Sequence, residues 1–139
     1  MASVKITDRI AASADKVWDL VGDFGGIQRF SAGIKSCTVE GQGVGAVRTI
    51  ELPNGMKMQE RCELLDAARR TLDYSITAGP MPIANYLARI QLAEDGDGCR
   101  IEWSSSFEPK GIPEPQAITM IEGVYKGGIA GLKKAVGAA

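Results

Sequence analysis

The sequence predicts an α+β fold in which a seven-stranded antiparallel sheet packs against one long C-terminal helix, with two short helices after the first strand. Two observations support this prediction. Consecutive segments of alternating apolar and polar residues are joined by short turns, which is typical of antiparallel strands. The longest stretch of helical periodicity follows them, at residues 113–139. Because 139 residues without an obvious linker match the size of one domain, we expect a single domain over 1–139.

The first strand and the two short helices are predicted near the N-terminus. Residues 3–11 alternate apolar and polar side chains, which indicates a strand with one buried face. Ser13 stands where the N-cap of a helix belongs, and apolar residues follow it at helical spacing. We expect this helix to end at Gly25 and Gly26, and residues 27–30 to form the second short helix.

Further strands are predicted between the short helices and the C-terminal helix. The turn at 53–55 is the clearest boundary, because its Asn-Gly pair accepts positive φ angles at little cost. The predicted strands comprise residues 34–40, 44–52, 56–66, 71–77, 83–93 and 99–109.

The C-terminal helix is predicted to bury two different kinds of apolar residue. Pro115 suits its first helical position. The large apolar stripe comprises Ile118, Ile121, Tyr125, Ile129, Leu132 and Val136. Interior glycines each cost up to ~1 kcal/mol of helix stability relative to alanine. The smaller residues beside the stripe comprise Ala117, Met120, Val124, Gly127, Gly128, Gly131 and Ala135. This small-residue edge either packs closely on a neighbouring backbone or leaves space for a ligand.

Composition and charge exclude several classes of function. The 16 basic and 17 acidic residues give a net charge of -1, so the electrostatic footprint of a nucleic-acid-binding protein is missing. No apolar run approaches the roughly 20 residues that cross a bilayer. The absence of histidine excludes a Ser-His-Asp triad and a His-ligated zinc site. We therefore expect no metal, no cofactor, no nucleic-acid partner and no integral membrane association.

A cytoplasmic location is expected from the N-terminus and the cysteines. Residues 1–13 contain no apolar core of a signal peptide. Cys37, Cys62 and Cys99 are odd in number and form no CxxC motif, which favours reduced thiols over a disulfide framework. The sequence leaves the oligomeric state open.

Strand parity assigns side chains to the inner face of the sheet. In residues 44–52 the phase is ambiguous, because apolar residues occur in both alternating sets. Elsewhere the predicted inner set comprises Met58, Glu60, Cys62, Leu64, Leu72, Tyr74, Ile76, Tyr86, Ala88, Ile90, Leu92, Ile101, Trp103, Ser105 and Phe107.

Glu60 is the unusual member of this inner set, because a lone carboxylate is costly to bury. Arg48, on the neighbouring strand across the Asn-Gly hairpin, is the nearest partner by register. The two residues form either a structural ion pair that closes one end of the barrel or a polar anchor for a ligand carbonyl, hydroxyl or carboxylate.

Several segments, in this order and spacing, resemble a known family. They are VWDLVGDFGGIQRFSAGI (17–34), GVGAVRTIEL (43–52), QERCELLDAARRTLDYSI (59–76), PIANYLARIQL (82–92) and IEWSSSF (101–107). The chain is similar to the polyketide cyclase/dehydrase branch of the START-like superfamily, which also includes the major birch pollen allergen and lipid-transfer domains. The resemblance implies a helix-grip fold, in which a curved sheet wraps around the last helix and encloses a cavity for a hydrophobic ligand.

The preferred hypothesis is a carrier or binding protein for a small hydrophobic or aromatic molecule, such as a polyketide, a lipid or a metabolite. Phe24 and Phe30 flank the glycine pair and are expected to form a gate at the cavity entrance. The predicted ligand-binding residues are Phe24, Phe30, Arg48, Met58, Glu60, Tyr74, Tyr86, Trp103, Met120 and Val124.

Two alternatives come from other functional classes. The first is a cyclase- or dehydratase-type enzyme in which Glu60, Arg48 and a tyrosine, with Tyr74 as the candidate, transfer protons. The second is a regulatory or protein-interaction module that keeps the fold and fills its cavity with side chains.

Overall fold

Seven strands form one antiparallel sheet in the computed structural model, which describes residues 1–31 and 33–138. The strands are β1 Ala2–Ile10, β2 Ser36–Glu40, β3 Val47–Glu51, β4 Lys57–Asp66, β5 Thr71–Ala78, β6 Ile83–Asp95 and β7 Gly98–Pro109. Their order is β1-β7-β6-β5-β4-β3-β2, so each strand from β2 onwards pairs with the next in sequence and β1 closes the sheet against β7. The predicted antiparallel meander is confirmed.

The first helix begins where the sequence predicts, but it ends before the predicted end at Gly25 and Gly26. The hydroxyl of Ser13 accepts a hydrogen bond from the Lys16 backbone N–H at 3.2 Å, which caps α1 (Ala14–Val21). Gly22 is the C-cap, and its N–H donates the last backbone hydrogen bond of the helix to the carbonyl of Trp18. The prediction that the helix extends to the glycine pair is therefore wrong.

The glycine pair lies inside the second short helix rather than in a loop. This element is a 3₁₀ helix, Phe24–Arg29, so Phe24 and Phe30 bracket a helix and not a flexible link. A side chain at Gly25 would meet Val39 of β2, and one at Gly26 would meet the carboxylate of Asp23. Both glycines therefore serve close packing of the 3₁₀ helix.

The inner face predicted from strand parity agrees with the observed burial, except beyond one bulge in β4. The register with β5 shifts after Cys62, so that Leu64 pairs with Asp73 and Leu65 with the buried Leu72. Leu65 packs against the core in place of Leu64. The bulge adds one residue, which reverses the faces of the residues beyond it.

The long helix α2 (Glu114–Ala135) packs on the inner face of the sheet, where it contacts β1 and β7. The predicted stripe of large apolar residues forms its buried face, and Ile121, Tyr125, Ile129 and Leu132 are no more than 2% exposed. The Tyr125 ring stacks on Trp103 with 4.7 Å between ring centroids. This is the helix-grip arrangement, and the predicted fold class is confirmed. None of the helices that the structure describes is long and apolar enough to cross a membrane.

The small-residue edge of α2 packs closely on a neighbouring segment at some positions and borders open space at others. A side chain at Gly131 would collide with the backbone carbonyl of Phe30, and one at Gly128 would meet the Trp103 ring. Added side chains at Gly123 and Gly127 would meet nothing within 4 Å. Close packing therefore explains Gly128 and Gly131, whereas open space lies beside Gly123 and Gly127.

Gly131→Ala should destabilise the protein by about 1–3 kcal/mol, because a backbone carbonyl cannot rotate away from the new methyl group as a side chain can. Gly127→Ala, in the same helix, should be neutral or stabilise it by up to ~1 kcal/mol through helix propensity. Urea unfolding of the two variants provides the comparison. Equal effects on the free energy of unfolding would contradict the close contact at Gly131.

Candidate functional site

A cavity of about 540 Å³ lies between the inner face of the sheet and the small-residue edge of α2. Its wall comprises Ile27, Phe30, Ser31, Gly33, Ile34, Ile50, Leu52, Met58, Glu60, Tyr74, Met81, Trp103, Gly123, Val124, Gly127 and Gly128. Gly33, Gly123, Val124 and Gly127 are exposed to solvent, so the opening lies between the segment after the 3₁₀ helix and one edge of α2. The cavity is predominantly apolar and reaches the surface.

The structure divides the predicted ligand-binding residues into two groups. Those in the cavity wall are Phe30, Met58, Glu60, Tyr74, Trp103 and Val124. Those outside the wall are Phe24, Arg48, Tyr86 and Met120. Ligand contact by either group stays a prediction.

Sequence reasoning missed two sets of wall residues. Ile50 and Leu52 belong to the same alternating set as Arg48, so strand parity would have found them if the phase of β3 had been known. Ile27, Ser31 and Ile34 lie in or beside the 3₁₀ helix, where no periodicity indicates which side chain faces inwards. Only tertiary packing identifies this second set.

Arg48 and Glu60 form a buried ion pair directly across the β3–β4 register. The guanidinium Nη2 and Nε lie 2.7 and 2.8 Å from Glu60 Oε1, and the two residues are 3% and 5% exposed. The ambiguous phase of residues 44–52 is thereby decided, with Arg48 inside. A buried pair of this kind is tolerated only when its polar atoms are bonded, and most of them are.

The same guanidinium holds the 3₁₀ helix against the sheet. Arg48 Nη1 donates to the Phe24 carbonyl at 3.0 Å, and the guanidinium carbon lies 4.0 Å from the centroid of the Phe24 ring. A second ring, that of Tyr74, lies 5.1 Å away on the cavity side. Phe24 therefore covers the ion pair, and Phe30 is the member of the predicted gate that faces the cavity.

Glu60 keeps one carboxylate oxygen free. Both guanidinium contacts go to Oε1, and no hydrogen-bond donor among the described residues reaches Oε2. Because Glu60 is also part of the cavity wall, Oε2 can accept a hydrogen bond from a molecule in the cavity.

A network of buried hydroxyl groups continues behind the cavity wall. The indole Nε1 of Trp103 donates to the Tyr74 hydroxyl at 3.1 Å, which lies 3.2 Å from the hydroxyl of Tyr86. Tyr86 in turn forms a short hydrogen bond with Tyr125. Burial raises the pKa of Tyr74 and Tyr86 well above the usual value and that of Tyr125 to about 12. These hydroxyls stay protonated near neutral pH and do not act as bases there.

The residues described by the structure include no group of three or more Cys, Asp or Glu side chains placed to hold a metal ion. A second depression, of about 430 Å³, lies on the outer face of the sheet and is open to solvent. Its charged groups all have partners, since Arg89 binds Asp73 through two hydrogen bonds of 2.7 and 2.9 Å and Lys5 lies 2.7 Å from the carboxylate of Glu102, which is outside the depression. The interior cavity is therefore the candidate site.

Comparison with known proteins gives one family and several relatives. The family model described as polyketide cyclase/dehydrase and lipid transport matches residues 1–137. The abscisic acid receptor PYL2 of Arabidopsis thaliana is 34% identical over 86 residues, which are 58% of this chain and 45% of the receptor. The receptor PYL6 of the same plant is 30% identical over 105 residues, 69% of this chain and 48% of the receptor. The chain thus spans about half the length of these curated relatives.

Solved structures share the fold over nearly the whole chain. The protein XoxI from Bacillus cereus is 31% identical and superposes with a TM-score of 0.90, covering 97% of this chain and 95% of that one. Norcoclaurine synthase from Thalictrum flavum, solved with dopamine and hydroxybenzaldehyde, is 19% identical, with a TM-score of 0.75 and coverage of 97% and 86%. The second likeness concerns the fold alone.

Arg48→Met should destabilise the protein by about 3–5 kcal/mol, because it leaves the Glu60 carboxylate buried without a counter-charge. The double variant Arg48→Met/Glu60→Gln should recover much of that loss, since the unpaired charge is removed. A double-mutant cycle on the free energy of unfolding measures the coupling. Additive effects of the two substitutions would contradict the pairing.

Proposed function

Since this chain belongs to the family described as polyketide cyclase/dehydrase and lipid transport, we propose that it binds a small, mainly apolar molecule in the cavity between the sheet and α2. The observation that carries the proposal is the cavity itself, about 540 Å³ in size and open at one side. Cavities of roughly 300–1,000 Å³ with apolar walls and a few polar groups are typical of small-molecule sites. The matched Arabidopsis proteins, named as receptors for abscisic acid, support the same class of function.

We further propose that the protein acts as a carrier or binding protein rather than as an interaction module with a filled core. Wall residues such as Ile50, Met58 and Trp103 leave open space in front of them. A core of close-packed side chains contains few voids larger than one water molecule. The cytoplasmic location, and a polyketide, lipid or aromatic metabolite as ligand, belong to this proposal.

An enzyme of the cyclase or dehydratase type would need a group in the cavity that moves a proton. Arg48 lies behind the wall, with its nitrogens bonded to Glu60 and the Phe24 carbonyl. Tyr74 has its pKa raised by burial, which disfavours it as a base. Among the described residues of the wall, Glu60 is the one carboxylate, and neither Arg48 nor Tyr74 is placed to transfer a proton beside it, so binding is better supported than turnover.

Gly127→Leu should weaken binding of the neutral fluorescent probe N-phenyl-1-naphthylamine by about tenfold, which corresponds to ~1.4 kcal/mol. The reason is that the new side chain narrows the opening, where Gly127 has open space. The control is Ala130→Leu, which adds a leucine to the exposed surface of the same helix. Equal probe affinities for the two variants in fluorescence titrations would argue against binding in this cavity.

Phe30→Ala should speed release of the same probe by about tenfold or more, because the ring lies in the cavity wall beside the opening. Phe24→Ala should instead lower the free energy of unfolding by about 3–5 kcal/mol, since its ring packs beneath Arg48. Stopped-flow displacement and urea unfolding separate the two effects. If the rate of probe release from the Phe30 variant equals that of the wild-type protein, Phe30 does not control the opening of the cavity.

A further inference from the structure

The charges around the cavity are distributed unevenly. The described residues of its wall include one carboxylate, Glu60, and no lysine or arginine. The nearest cation is Arg48, which stands behind the wall and is neutralised by its contact with Glu60. A molecule that enters the cavity therefore meets a free carboxylate oxygen, and it meets no unpaired positive charge on the described wall residues.

One cation that neighbours the wall in sequence faces away from the cavity. Lys35 follows the wall residue Ile34, but its ammonium group lies 3.3 Å from the carboxylate of Glu51. Its side chain is 63% exposed, outside the cavity. The backbone N–H of Lys35 also donates to the Glu51 carbonyl, which keeps this residue in register with β3.

This arrangement discriminates between ligands by charge. A carboxylate placed near Glu60 would be repelled in a medium of low dielectric constant and would find no counter-ion. A cation would add an uncompensated charge beside a pair that is already neutral. A neutral hydroxyl or phenol, in contrast, can donate a hydrogen bond to Oε2, and bonds to charged acceptors are among the stronger ones.

We propose that the cavity selects neutral, mainly apolar molecules that carry a hydroxyl or phenolic donor for Glu60 Oε2, and that it excludes carboxylates. This inference rests on the proposed binding function. It goes further by assigning the polar contact and the charge of the ligand. In this proposal the two oxygens of Glu60 have different partners, since Oε1 binds Arg48 and Oε2 accepts a hydrogen bond from the ligand.

The test compares three probes of one shape, 2-naphthol, 2-methylnaphthalene and 2-naphthoate, by competition with N-phenyl-1-naphthylamine near neutral pH. The wild-type protein should bind naphthol several-fold more tightly than methylnaphthalene and at least about tenfold more tightly than naphthoate. A purely apolar cavity would prefer methylnaphthalene, because that probe has no polar group to desolvate. A preference for naphthol therefore requires a hydrogen-bond acceptor in the wall, and the Glu60 variant shows whether that acceptor is the carboxylate.

Glu60→Gln supplies the second measurement, with Glu63→Gln as the matched control. Glu63 bonds Arg61 and Ser75 and is not part of the cavity wall. In the Glu60 variant the advantage of naphthol should shrink, and naphthoate should gain several-fold, because Arg48 loses its counter-charge. The control should keep the wild-type ranking. If the Glu60 variant does not fold, the order of the three probe affinities in the wild-type protein still tests the inference.

The outcomes separate this inference from the function on which it rests. Wild-type protein that binds methylnaphthalene or naphthoate as tightly as naphthol would overturn the inference and leave the binding function standing. So would an unchanged ranking in a folded Glu60→Gln variant. Failure of all three probes, and of N-phenyl-1-naphthylamine itself, would overturn the proposed function.

Discussion

The buried contact between Arg48 and Glu60 joins the parts of the molecule that form the cavity. The two residues face each other on β3 and β4. Arg48 also donates a hydrogen bond to the carbonyl of Phe24, the first residue of the 3₁₀ helix, and Glu60 is part of the cavity wall. A charge in this position is costly unless its partners are in place, so the sheet and the 3₁₀ helix depend on each other. The same requirement explains why a carboxylate lies in a wall that is otherwise mainly apolar.

The glycines of α2 show how one helix can meet a neighbour closely and still leave a cavity. Near its C-terminal end the helix approaches the Phe30 carbonyl, and Gly131 makes that approach possible. One turn earlier, Gly127 has nothing within 4 Å of an added side chain. The helix is therefore anchored at one end of its small-residue edge, and the opening lies towards the other. Close packing offsets the helix propensity lost at Gly128 and Gly131, but not that lost at Gly123 and Gly127.

The tyrosine hydroxyls behind the cavity wall have a different role from that of Glu60. Tyr74, Tyr86 and Tyr125 bond one another, with Trp103 as an additional donor, so their polar atoms are satisfied without a ligand. Burial raises their pKa values and keeps them neutral. The back of the cavity therefore contains hydroxyl groups that are hydrogen-bonded to one another and stay protonated near neutral pH. Glu60 differs from these tyrosines because no hydrogen bond from the described residues reaches its Oε2.

The sequence by itself determined the order of the elements, the Ser13 cap and most of the inner face, because these depend on periodicity and on neighbouring residues. Strand parity and the hairpin also indicated Glu60 and its partner. The tertiary structure decided the different positions of Phe24 and Phe30, the bulge that exchanges Leu64 for Leu65, and the difference between Gly127 and Gly131. The physical reason is that periodicity states which way a side chain points, whereas the distance between segments remote in sequence depends on how they pack.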